Sequence, residues 1–111
     1  MITTHVLDIS NGKPAASVHV SLARFDDGRR TPIADGVTDA DGRLRDLTPT
    51  AETLDTGIFE LTFDTGTYFR TRGVEPLHPR IVILVELTEP GEHYHIPVLV
   101  SPYGYTTYRG S

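Results

Sequence analysis

Apolar and β-branched side chains alternate with other residues along most of this chain, in short runs cut by turn-forming clusters. A period of two sends successive side chains to opposite faces of an extended strand, so a chain patterned this way folds as sheet and buries one face. The clearest run is Gly57–Phe63, where Phe59, Leu61 and Phe63 alternate with Ile58, Glu60 and Thr62. Ser17–Phe25 repeats the pattern, with Val18, Val20 and Leu22 expected inward and His19, Ser21 and Ala23 outward. Further strands are expected over Ile2–Ser10, Thr31–Thr38, a short edge piece at Arg43–Leu47, and the very apolar Arg80–Leu87. In Ile2–Ser10 neither face is plainly polar, which suggests cover on both sides.

The punctuation is as informative as the strands. Asn11-Gly12-Lys13-Pro14 reads as a turn, because Asn-Gly supplies positive φ and proline bars ladder pairing. Asp26-Asp27-Gly28-Arg29-Arg30 is a charged hairpin loop, and residues 48–56 form a polar connection. One helix of about two turns is expected after Phe63, capped by Asp64 or Thr65 and closed by Gly73, with arginines in its last turn. Seven or eight short strands with one short helix make an all-β, two-sheet β-sandwich. A chain of 111 residues forms one such domain, over 1–111, and buries about two thirds of its unfolded surface.

The C-terminal stretch holds two of the five histidines and four of the five tyrosines. His93, His95, Pro97, Leu99 and Ser101 share one strand face; Tyr94, Ile96, Val98 and Val100 share the other, which is the better core face. The histidines therefore point away from the core, beside Pro97 and Leu99, on a face suited to a ligand or a second subunit. Ser101-Pro102 breaks the pattern, and alternation resumes over Tyr103–Tyr108, with Gly104 and Gly110 flanking Tyr108 and allowing close approach. The tail Arg109-Gly110-Ser111 places a carboxylate close behind that strand.

Composition narrows the function classes. Ten basic against fifteen acidic residues give a net charge of −5 with no basic block, so nucleic acid and anionic membrane are excluded as expected partners. There is no cysteine, hence neither a disulfide framework nor a thiolate nucleophile. The N-terminal segment lacks the pattern of a signal peptide, and no apolar run approaches the ~20 residues of a membrane span. The expectation is a soluble, cytoplasmic protein.

The residues that can carry chemistry are His5, Arg43, His95 and Tyr108, with His93 and Ser111 behind them. By default a strand histidine is structural or solvated, Arg43 flanks a turn, and Tyr108 is a half-buried aromatic. His19 and His78 are left at that default. Taken together, however, His5 and His95 each lie on the less core-like face of a strand. Histidine is the natural general base near neutral pH, and arginine stabilises an anion or oxyanion. Zinc is the rival reading, since His93-x-His95 puts two imidazoles on one face and His5 could be a third ligand. Asp39 and Asp41 with Gly42 invite a calcium reading, but the twelve-residue loop with its terminal glutamate is missing. Ser111 has no base beside it in sequence to make it a nucleophile.

Three stretches carry a family likeness: Thr3-Thr4-His5-Val6-Leu7-Asp8, Thr38-x-x-Asp41-Gly42-Arg43, and the tail from Ser101 to Tyr108-Arg109-Gly110-Ser111. With these the chain resembles, from first strand to last residue, the 5-hydroxyisourate hydrolases, the transthyretin-like enzymes of purine catabolism. The terminal tetrapeptide discriminates, because hormone-carrying transthyretins share the fold but lack it, and lack histidine at the equivalents of His5 and His95. The resemblance implies a transthyretin-like sandwich of two four-stranded sheets and a homotetramer, a dimer of dimers with sites where dimers meet. It also implies cofactor-free hydrolysis of 5-hydroxyisourate to 2-oxo-4-hydroxy-4-carboxy-5-ureidoimidazoline, on the route from urate to allantoin. His5, Arg43 and His95 would be catalytic; His5, Arg43, Tyr108 and Ser111 would bind substrate; no metal is implied. The alternative within the same fold is a small-ligand or hormone carrier without catalysis.

Overall fold

The computed structural model describes residues 1–47 and 56–111. Among these residues nine strands and one helix follow one another: β1 Ile2–Asp8, β2 Lys13–Pro14, β3 His19–Asp26, β4 Arg29–Val37, β5 Arg43–Leu44, β6 Gly57–Phe63, α1 Thr65–Thr71, β7 Ile81–Leu87, β8 Tyr94–Ser101 and β9 Gly104–Thr107. One sheet runs β2-β1-β8-β9, with β5 also pairing β1; the other runs β4-β3-β6-β7. The two pack as the expected two-sheet β-sandwich, although the first sheet has five strands rather than four, because the two-residue β2 and β5 both pair with β1. Its core is lined by Ile2, Val6, Ile96, Val98 and Val100 from the first sheet and Val20, Leu22, Phe59, Leu61 and Phe63 from the second. Among the described residues no helix is long and apolar enough to cross a membrane.

Two strands that are remote in sequence lie side by side at the centre of the first sheet. β1 and β8 are parallel, in a register that sets Thr3 beside His95 and His5 beside Pro97. Ile2, Thr4, Val6 and Asp8 form the inward face of β1 and are all buried. The cover expected on both sides of this strand is therefore unequal, because His5 and Leu7 on the other face are only half-buried. The inward Asp8 is held by the short helix, where the Tyr68 hydroxyl donates to Asp8 Oδ2 at 2.8 Å. Asp64 caps α1 as expected, accepting from the Thr67 N–H, and Gly73 beyond its end has φ +78°.

Local expectations need correction at several points. The hairpin loop expected over Asp26–Arg30 is only Asp27-Gly28, because Asp26 pairs with Arg29 and Phe25 with Arg30, and the edge piece expected over Arg43–Leu47 ends at Leu44. Lys13–Pro14, expected as turn alone, pairs with Asp8 and Leu7. Proline is tolerated there because the pair lies at the sheet edge, where its missing N–H faces away from the ladder. Ala23, expected outward, is buried, next to the point where the β3–β4 register shifts. The last strand is shorter than Tyr103–Tyr108: Tyr103 sits in the turn, and pairing as a strand stops at Thr107. In that register Pro97 faces Tyr108 and has no N–H to give, while its carbonyl accepts the Thr107 hydroxyl at 2.9 Å. The polar connection expected over 48–56 lies, apart from Thr56, outside the described residues.

Candidate active site

The outer face of the first sheet gathers the candidates through pairing alone. Residues that are register partners point to the same side of a sheet. Thr3 faces His95, His5 faces Arg43 across β5, and Gly110 forms an isolated bridge with His95. A cleft of about 340 Å³ opens here, bordered by Thr3, Arg43, Arg45, His93, His95 and Ser111.

Arg43 arrives on a turn built by its own aspartates. Asp39 Oδ1 accepts the N–H groups of Asp41 and Arg43 at 2.9 and 3.0 Å. The Arg43 N–H is the main reason that the Asp39 carboxyl is held below its ordinary 3.8, against a smaller opposing effect of desolvation. The aspartate that suggested calcium is thus committed to backbone. Gly42 turns with φ +75°, and a Cβ there would stand 2.3 Å from the Val6 carbonyl oxygen. That approach lets the Val6 N–H donate to the Gly42 carbonyl at 2.7 Å. Among the described residues the Arg43 guanidinium has no hydrogen-bond or ion-pair partner, so its donors are available to a ligand.

The same turn orients His5. Its Nε2 lies 2.9 Å from the Asp41 carbonyl oxygen. A carbonyl only accepts, so Nε2 carries the proton and neutral His5 presents a bare Nδ1.

His95 and His93 share one small partner. The Thr3 hydroxyl is 2.7 Å from His95 Nδ1 and 2.8 Å from His93 Nε2. Burial holds the His95 pKa below its ordinary 6.5, and the positive fields of His93, Arg43 and His5 add to the effect. His95 is therefore kept neutral and able to accept a proton. Between the two histidines, Tyr94 anchors the strand: its hydroxyl accepts the Thr88 and Glu89 N–H groups, and Arg109 stacks on its ring at 4.4 Å. On the far side, the His95 ring rests on Gly110, where a Cβ would come within 2.5 Å of His95 Cδ2.

Of the residues picked from sequence, Arg43, His93, His95 and Ser111 border the cleft, and His5 stands beside it as the register partner of Arg43. Tyr108 does not join them within one chain; it is 54% exposed and borders a groove along β7 with Leu84 and Thr107. Among the described residues, no three His, Asp or Glu side chains converge as a metal-binding group, and His93 Nε2 and His95 Nδ1 both turn to the Thr3 hydroxyl. Thr3 was missed as a site residue, although its spacing of two from His5 places it on the same strand face.

The family model described as "HIUase/Transthyretin family" matches residues 2–110. The chain is 41% identical to a probable 5-hydroxyisourate hydrolase of Schizosaccharomyces pombe, over 99% of this chain and 90% of that one. Among solved structures, the 5-hydroxyisourate hydrolase of Klebsiella pneumoniae superposes with a TM-score of 0.87 at 41% identity, covering 99% of this chain and 97% of the other. Transthyretin from Sparus aurata superposes with a TM-score of 0.90 at 32% identity, covering 98% and 95%.

Proposed function

The chain belongs to the HIUase/Transthyretin family, and we propose that it is the enzyme of that family, a 5-hydroxyisourate hydrolase formed by one domain over 1–111. The observation that carries this reading is the meeting of His5, Arg43 and His95 on one sheet face, with Arg43 and His95 bordering a cleft there. The hydrolase names borne by relatives at about 40% identity support it.

In the proposed reaction His95 takes a proton from water as the water oxygen attacks a ring carbonyl of 5-hydroxyisourate. His5, whose Nε2–H is tied to Asp41, orients that water or the substrate through Nδ1. Arg43 offsets the charge of the tetrahedral alkoxide, and its planar fork suits the urate-like oxygens. Collapse breaks the ring C–N bond; the nitrogen regains a proton and a carboxylate forms, giving 2-oxo-4-hydroxy-4-carboxy-5-ureidoimidazoline, an intermediate between urate and allantoin. Ser111 borders the cleft and closes one side. No cofactor enters the scheme.

A homotetramer, a dimer of dimers, belongs to the same proposal. It is supported by the unpaired outer edges of β7 and β9 and by exposed Val82, Leu84, Tyr105 and Tyr108 nearby. Tyr108 contributes to substrate binding only through such assembly, given its distance from the cleft of its own chain. A cytoplasmic location is compatible with the cysteine-free composition.

The carrier alternative predicts an apolar channel, as hormone-sized aromatic ligands require. A cleft bordered by two arginines and two histidines favours the hydrolase. The deciding experiment follows the ultraviolet absorbance of 5-hydroxyisourate, made in place from urate by urate oxidase, with and without this protein. Acceleration of decay that survives a chelator is expected. No acceleration by folded protein would remove the hydrolase reading, and acceleration lost to the chelator would restore the three-histidine metal site.

A further inference from the structure

The Thr3 hydroxyl sits between two imidazole nitrogens, and it has one proton to give. It cannot donate to both. When both bonds are made and both rings are neutral, one ring donates its N–H to the hydroxyl while the other accepts from it. If Thr3 donates to His93 Nε2, then His95 Nδ1 carries a proton and His95 Nε2 is bare, which is the form able to act as a base. If Thr3 donates to His95 Nδ1, then His95 Nε2 carries the proton and His95 is an acid. The two histidines therefore hold linked tautomers, and the threonine hydroxyl is the link.

We infer that Thr3 is a proton relay, through which the charge created when His95 accepts a proton at Nε2 passes to Nε2 of His93. The inference rests on the hydrolase reading for the identity of the water that supplies that proton. Bond by bond, a water O–H breaks as His95 Nε2–H forms. The His95 Nδ1–H then breaks as an O–H forms on Thr3, and the original Thr3 O–H breaks as His93 Nε2–H forms. The end state is a neutral His95 with its proton on Nε2, a restored hydroxyl, and an imidazolium at His93. As His95 Nε2–H protonates the departing ring nitrogen, the reverse shift runs with it. His93 Nε2–H passes to the Thr3 oxygen and the Thr3 proton passes to His95 Nδ1, which leaves both rings neutral and His95 a base again.

The electrostatics favour that direction. His95 is partly buried, which opposes a positive charge on it most, and His93, Arg43 on β5 and His5 on β1 oppose it further. His93 is exposed to water, and its neighbour Glu92 is negative, although shared with Arg109 at 2.9 Å. A charge moved from His95 to His93 passes from a half-buried ring to an exposed one at the border of the cleft, where water solvates it better even with the Met1 ammonium nearby. Thr3 itself is 9% exposed, so bulk water has little access to the bridging position. Thr3 is thus a positioning residue that acts through His95.

The test uses Thr3→Val, which keeps shape and β-branching without the hydroxyl, and Thr3→Ser, which keeps the hydroxyl. With 5-hydroxyisourate, Thr3→Val is expected to lower kcat by about tenfold or more at nearly constant KM, and Thr3→Ser to restore most of it. His93→Gln reaches the same hydroxyl but cannot hold a proton, and is expected to lower kcat and shift the acid limb of its pH profile. Nitrogen-15 NMR of the imidazoles needs no turnover. In the native protein it is expected to show one protonated and one bare nitrogen facing Thr3, a coupling of the two ring tautomers that Thr3→Val abolishes. Native nitrogen shifts and a native kcat–pH profile in Thr3→Val would overturn the relay. If Thr3→Val does not fold, an unchanged kcat and pH profile in His93→Gln overturns it instead. Should the native protein fail to hydrolyse the substrate, the function reading falls while the NMR coupling still decides the role of Thr3.

Discussion

His5 and Arg43 face each other as register partners between β1 and β5, and the turn that delivers Arg43 also supplies the Asp41 carbonyl 2.9 Å from the His5 ring. One loop therefore sets both groups, and a cation stands beside an imidazole whose bare nitrogen is already determined. Arg43→Ala is expected to lower kcat by about 10²–10³, as loss of an oxyanion donor does. Arg43→Lys keeps the charge but not the fork, and should recover only part of the loss. Steady-state kinetics decide: a native kcat/KM in Arg43→Ala would take Arg43 out of the mechanism.

Gly110 is where the tail touches the chemistry. A methyl group there meets the His95 ring at 2.5 Å, with Pro97 Cγ at 3.2 Å, so the imidazole must move off the Thr3 hydroxyl or the tail must lift. Gly110→Ala is expected to cut kcat by up to about 10²-fold through misplacement of His95. The unfolding midpoint should change little, because Gly110 lies outside the core cluster. Equal loss of activity and of thermal stability would instead mark Gly110 as structural.

The pH profile follows from the lowered pKa of His95. The base is active when neutral, so the acid limb of kcat/KM should have its midpoint below the ordinary 6.5. Stability moves in the same sense. Between the lowered folded pKa and 6.5 the unfolded state binds more protons, so stability rises with pH through that window and is lost as pH falls through it. Melting curves across pH 5 to 8 check this, and His95→Gln should flatten the slope. An acid limb at or above 6.5 would contradict the burial argument.

Tyr68 tests the join between helix and sheet. Its hydroxyl pKa is pushed up to about 12, first by burial and then by its hydrogen bond to Asp8 and by the Asp8 charge. Asp8 is 2% exposed, and its other oxygen bonds Ser10. Tyr68→Phe leaves Asp8 Oδ2 without this donor and should destabilise the fold by about 1–3 kcal/mol. Urea unfolding measures it, and an unchanged midpoint would show that water replaces the hydroxyl.

Much of the fold was legible in the alternation itself. The inward faces of β3, β6 and β8 and the capped helix after Phe63 follow from local patterning, because side-chain direction in a strand and the needs of a helix end are local properties. Arg43 and His5 could be named from residue type and family likeness. Which strands become neighbours is not local. Only the tertiary structure set β1 parallel to β8, and with it Thr3 against His95, because pairing between segments some ninety residues apart depends on the packing of both sheets. The same packing left Tyr108 exposed at the β7 groove, away from the histidines of its own chain. Residue identity determined what chemistry this protein could perform, and strand pairing decided which hydroxyl joins its two histidines.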